Sequence, residues 1–160
     1  MQTVTLPSGE RVPALGQGAW RMGENQAARA EEIATLRLGL DLDLTLIDTA
    51  EMYGEGRAEE LIGEVIEGRR EEVFLARFIR ITRPARARWL PASAASNACA
   101  LTLSIFILLH WRGRVPLPET MEGFMGLHQA GKIRYYGVSN FDRADMQELW
   151  SVPGGSGDRR

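Results

Sequence analysis

The stretch Leu44-Thr45-Leu46-Ile47-Asp48-Thr49-Ala50-Glu51-Met52-Tyr53-Gly54-Glu55-Gly56 decides the fold. Leu44 to Ile47 is a short apolar run of the kind a buried strand makes, and it ends at Asp48. Tyr53 follows five residues later, in a loop carrying Gly54 and Gly56. Residues 57–67 then place Leu61, Ile62, Val65 and Ile66 on one face of a helix. A strand that ends in an acid and passes through a loop into a helix is the shape of a parallel βα unit. In a βα barrel the chemistry belongs at that end of the strands.

The pattern continues on both sides. Upstream, Val4, Leu6, the Ser8-Gly9 turn and Val12 read as a short hairpin. Residues 15–20, Leu-Gly-Gln-Gly-Ala-Trp, are a small-residue strand where backbone could approach a ligand. Asn25 is placed to cap a helix from about Ala27, with Ile33, Leu36 and Leu40 at helical spacing. Downstream, Val73-Phe74-Leu75 opens a third strand. Order is then lost from Ala76 to about Leu103, and resumes with a strand over 105–109, an amphipathic helix over 118–129 and a strand over 133–139. Asp142 can cap a helix through Leu149, and residues 154–160 form an irregular tail. Strands alternating with helices predict an α/β fold with a parallel sheet.

Composition narrows the class. The 160 residues carry 19 basic and 21 acidic side chains, a net charge of −2, which excludes a dedicated nucleic-acid binder. The single cysteine, Cys99, excludes an internal disulfide framework, and two histidines make a structural zinc site a poor expectation. The longest apolar run, 101–109, is about half of the ~20 residues a membrane helix needs. The amino-terminal residues lack a secretory pattern, so the expected compartment is the cytoplasm, away from membranes. Charge is nonetheless uneven. No Asp or Glu lies between Glu72 and Glu119, while Arg77, Arg80, Arg83, Arg86, Arg88, Arg112 and Arg114 do.

Two more motifs accompany the first: Leu108-Leu109-His110-Trp111, with a histidine at a strand end, and Gly131 to Phe141, where a strand ends in Ser139-Asn140. Together the three resemble the aldo-keto reductase family, in particular the bacterial type that reduces small aldehydes such as methylglyoxal. The resemblance covers residues 3–75 and 108–153. It implies a (β/α)8 TIM barrel reducing aldehydes or ketones with NADPH. Tyr53 then matches the proton donor to the carbonyl oxygen, Asp48 the carboxylate that pairs with a catalytic lysine, and His110 the imidazole that orients the substrate. Ser139 and Asn140 match the pair holding the nicotinamide carboxamide, with Asp48 beside them, and Trp20 and Trp111 match the pocket lining. Since such a barrel needs about 250 residues, the resemblance implies that residues 1–160 are its amino-terminal part, roughly the first five βα units.

One element of the pattern is missing. The family closes its third strand with Ser-Lys-Val, and counting from Leu75 this chain has Arg77-Phe78-Ile79 there. Phe78 has no charge to offer Asp48 or Tyr53, and Arg77 lies on the opposite face of the strand. Reading the segment from Ala76 to Leu108 one base earlier, within the synonymous codons of the present residues, restores Ser-Lys-Val, an acid-containing helix and a fourth strand ending Asp-Ile-Tyr-Leu before Leu109-His110. A frame shift bounded by two compensating indels accounts for the missing lysine, the missing acids and the arginines together. A second expectation stands beside the reductase: a non-catalytic fragment, prone to non-specific self-association, that binds no cofactor. Taken singly, Asp48 reads more often as a helix or loop cap, His110 as a packed core residue, and Met121 and Met125 as core at helical spacing.

Overall fold

A computed structural model describes residues 2–81 and 104–155. The chain begins with a hairpin of β1 (Thr3–Thr5) and β2 (Arg11–Pro13), paired antiparallel. Then come β3 (Gly16–Gly18), α1 (Arg29–Asp41), β4 (Leu46–Ala50), α2 (Arg57–Val65), β5 (Phe74–Ile79), β6 (Ser104–Leu109), α3 (Leu117–Gln129), β7 (Ile133–Val138) and α4 (Arg143–Ser151). Strands β3 to β7 form one parallel sheet in sequence order, the arrangement of a partial (β/α)8 barrel.

The register separates two faces. Ile47 lies opposite Leu75, Arg77 opposite Ile107 and Ile79 opposite Leu109. This row is buried beneath the helices. Leu36, Leu40, Leu61, Ile62 and Val65 pack with Ile47 and Leu75 in one apolar cluster, and Leu117, Met121, Phe124 and Leu149 pack with Ile79, Ile107 and Leu109 in a second. The other face carries Leu46, Asp48, Phe74, Ala76, Phe78, Phe106, Leu108 and Tyr135, all half-buried. The hairpin docks low on β7, where Ser8 Oγ donates to Tyr135 Oη at 2.9 Å and the Tyr135 hydroxyl donates to Glu10 at 2.5 Å.

Several boundaries differ from the sequence expectation. The strand expected over 44–47 runs Leu46–Ala50, because Leu44 N–H is spent on Gly39 O in closing α1. Asp48 is therefore the middle residue of β4, not its last. Asn25 Oδ1 accepts from Ala27 N–H in a turn ahead of α1, and the helix starts at Arg29. Order does not stop at Ala76, since β5 continues to Ile79 with strict alternation. The helix after Tyr53 ends at Val65. At Asp142 the expectation holds: its side chain accepts from Asp145 N–H at 2.8 Å in a full capping box. The helix expected of the restored frame falls within residues 82–103, which lie outside the described residues, as does the tail beyond 155.

Candidate active site

The loops and strand ends on the carboxyl side of the sheet gather most of the expected residues. Asp48 lies on the half-buried face of β4, opposite Gly18 on one neighbour and Ala76 on the other. Burial pushes its carboxyl up to about 6, and among the described residues no ion pair offsets that cost. Tyr53 stands in a tight turn over Tyr53–Gly56 that leads directly into α2. Gly54 allows this turn: its φ is +55°, and a Cβ there would come within 3.2 Å of Met22 O. The Tyr53 phenol is raised above its ordinary value, first by burial and then by the negative charge of Asp48.

His110 follows the last residue of β6, its N–H bonded to Ile79 O at 2.9 Å. It is 8% exposed, and its Nδ1 has no hydrogen-bond partner among the described residues. Trp111 stacks on the ring at 3.6 Å with a 14° tilt, Phe78 approaches at 5.0 Å, and Tyr53 meets it edge-on at 6.3 Å. Burial, helped by the Arg80 charge, lowers the imidazole below its usual value and favours the neutral ring. Asn140, in a left-handed conformation (φ +56°), donates from Nδ2 to His110 O at 2.8 Å and to Ser139 Oγ at 3.2 Å.

The structure thus brings Tyr53, His110 and Trp111 into one aromatic cluster, joins Asn140 and Ser139 to it through the His110 carbonyl, and couples Asp48 to Tyr53 by charge. Trp20 is not in the cluster. It is 68% exposed, with Arg21 Cζ 4.9 Å from its ring centroid. Gly16 is explained without a ligand, since a Cβ there would meet the Leu46 side chain at 2.8 Å. Phe78 occupies the inward position on β5, and Arg77 points away, its guanidinium paired with buried Glu59 at 2.5 and 3.1 Å. Sequence reasoning missed Arg80 as a charge bearing on His110. The signal was present, because Arg80 lies two positions beyond Phe78 and so continues the same face.

The fold is a partial barrel of parallel βα units with a tyrosine and a histidine just past its strand ends, and comparison with known proteins gives the family. Residues 14–154 match the Aldo/keto reductase family, and the chain belongs to it. It is 47% identical over 152 residues to methylglyoxal reductase YeaE of Escherichia coli, covering 91% of this chain and 51% of that one. It is 33% identical to aldo-keto reductase YhdN of Bacillus subtilis, covering 94% and 50%. Among solved structures, the aldo-keto reductase from Klebsiella pneumoniae in complex with NADPH superposes with a TM-score of 0.88 at 44% identity, covering 96% of this chain and 55% of that one. The chain spans about half the length of the curated relatives it matches.

Proposed function

We propose that residues 1–160 carry the substrate end of an NADPH-dependent reductase of small aldehydes and ketones, methylglyoxal among them, with its proton-donating device disabled. The substrate reading is supported by the methylglyoxal reductase of Escherichia coli and the cofactor reading by the NADPH complex from Klebsiella pneumoniae. The residues at the nicotinamide end fit such a group. Asn140 uses its amide nitrogen within the protein, which leaves Oδ1 to accept from a carboxamide N–H beside the Ser139 hydroxyl. When bound, NADPH supplies a hydride to the carbonyl carbon. Tyr53 supplies the proton to the carbonyl oxygen, neutral His110 offers a hydrogen bond that orients it, and Trp111 walls the pocket.

One observation carries the impairment: Phe78 faces His110 at 5.0 Å from the strand position where the family keeps its lysine. A phenol gives up a proton more easily beside a cation and less easily beside an anion. Tyr53 has the anion, Asp48, and no described cation to answer it. The discriminating measurement is NADPH oxidation with methylglyoxal. The parent chain is expected to turn over slowly or not at all, Phe78→Lys to raise the rate, and Tyr53→Phe to abolish whatever rate exists. A parent rate that Phe78→Lys leaves unchanged would overturn the reading.

The fragment reading remains the alternative for the polypeptide as written, and absence of NADPH binding by both parent and Phe78→Lys would favour it. The same reading includes the shifted frame over 76–108, which would account for the missing lysine. Nucleotide sequence across the codons for Leu75 to Leu109 tests it, since an in-frame Ser-Lys-Val in the gene would place the shift in the read and not in the organism. The cytoplasm is the proposed compartment. No described helix is long and apolar enough to cross a membrane.

A further inference from the structure

We infer that Asn140 is a positioning residue for His110: its side-chain amide ties the end of β7 to the end of β6 and fixes the imidazole in its aromatic stack. This deepens the proposed reading of the site and gives Asn140 a task in addition to the cofactor contact. The β6–β7 ladder runs to Ser139, whose N–H donates to Leu109 O at 2.8 Å. Asn140 then turns left-handed, so its backbone leaves the ladder and its side chain swings back across it. Nδ2 donates to His110 O at 2.8 Å and carries the connection one residue further. Only the amide nitrogen can serve, because a carbonyl oxygen accepts and an Oδ1 facing it would be repelled.

The neighbours of His110 explain why such a tie is needed. Among the described residues its Nδ1 has no hydrogen-bond partner. The ring is stacked on Trp111, with Phe78 and Tyr53 nearby. Stacking constrains a ring's distance from its neighbour better than its place along the strand. The two backbone bonds of His110, N–H to Ile79 O and O from Asn140 Nδ2, supply that second constraint from opposite strands. The same amide group can therefore register His110 with its nitrogen while its oxygen faces a carboxamide, coupling the substrate's hydrogen-bond partner to the cofactor's seat.

The test needs no cofactor. In the parent chain, the Asn140 side-chain NH2 should exchange with water about fivefold more slowly than an exposed amide, the protection one ordinary hydrogen bond gives. The His110 ring protons should show the upfield ring-current shift of an indole stacked at 3.6 Å. Asn140→Gly keeps the left-handed backbone and removes the amide. It is expected to lose much of that ring-current shift and to move the His110 titration towards its ordinary value, with Tyr53 and Arg80, the charged or titratable groups bearing on the ring, unchanged in sequence. Asn140→Asp should do the same, since it puts oxygen against oxygen. If either variant fails to fold, the parent's amide exchange decides by itself. An unprotected Asn140 amide, or variants whose His110 shift and titration match the parent's, would overturn the assignment. Loss of NADPH oxidation with the His110 signals unchanged would assign Asn140 to the cofactor alone and also sink it. Failure of the reductase reading would leave these cofactor-free signals as they are.

Discussion

Asp48 is the residue on which the site's electrostatics turn. A carboxylate half-buried between Gly18 and Ala76, with no counter-charge among the described residues, holds its proton to about 6, and its charge above that pH keeps the Tyr53 proton on. The sign follows: removing the charge lets the phenol ionise more readily. Asp48→Asn is therefore expected to lower the Tyr53 titration midpoint in phenolate absorbance, with Tyr53→Phe subtracted to isolate the signal. An unchanged midpoint would mean that burial alone sets it. Phe78→Lys makes the complementary change, and the Asp48 carboxyl carbon, followed by NMR, should titrate below its parent value in that variant, the usual direction for an acid beside a cation. Tyr53 and His110 were legible in sequence as residues just past strand ends, whereas Asp48, expected at a strand end, lies in the middle of β4. The Phe78–His110–Trp111 stack was not, because ring contacts join strands far apart in the chain, while the Arg80 signal was present in the strand alternation and went unread.

At the scale of elements, β5 is the informative case. Sequence periodicity breaks at Ala76, yet the strand runs on to Ile79, since Phe74, Ala76 and Phe78 share one face and Leu75, Arg77 and Ile79 the other. An arginine in the buried row looks like a break in the pattern until its partner is known. Glu59 on α2, 18 residues earlier, takes Nε and Nη2 on its two oxygens, so both charges are buried as a pair. Nothing local in either segment announces the other. Breaking such a pair by removing one partner leaves an uncompensated buried charge, which costs about 3–5 kcal/mol. Glu59→Gln should thus lower the opening free energy of α2 and β5 amides in hydrogen exchange by a few kcal/mol, and Glu59→Leu with Arg77→Met should recover most of it. A double variant as labile as the single one would show that the pair is not the cause. By contrast the α4 cap was fully legible, because a capping box is written within four residues. Asp142→Ala should fray that helix at a cost of about 1 kcal/mol, read in the exchange of the Asp145 amide that its side chain now binds.

For the whole molecule, the decisive fact is that the helices described cover only one face of a five-stranded sheet. The row carrying Leu46, Phe74, Phe78, Phe106 and Leu108 is half-buried, and β3 and β7 each have a strand neighbour on one side only among the described residues. Apolar surface and unpaired strand edges of this kind recruit further chains. Most of the buried apolar residues described fall into two clusters, one under α1 and α2 and one under α3 and α4. Among the described residues no cluster spans the sheet to make both halves melt as one. We therefore propose that the 160-residue polypeptide associates with itself non-specifically and lacks a cooperative transition as a monomer. Sedimentation velocity should show a weight-average mass that rises with concentration, and a dye that reports exposed apolar surface should fluoresce with the native chain. Heating at the lowest workable concentration should give near-ultraviolet and far-ultraviolet signals that decay over different ranges, the sign that two-state bookkeeping does not apply. A monomeric species with a single sharp melt, coincident by both probes, would refute this.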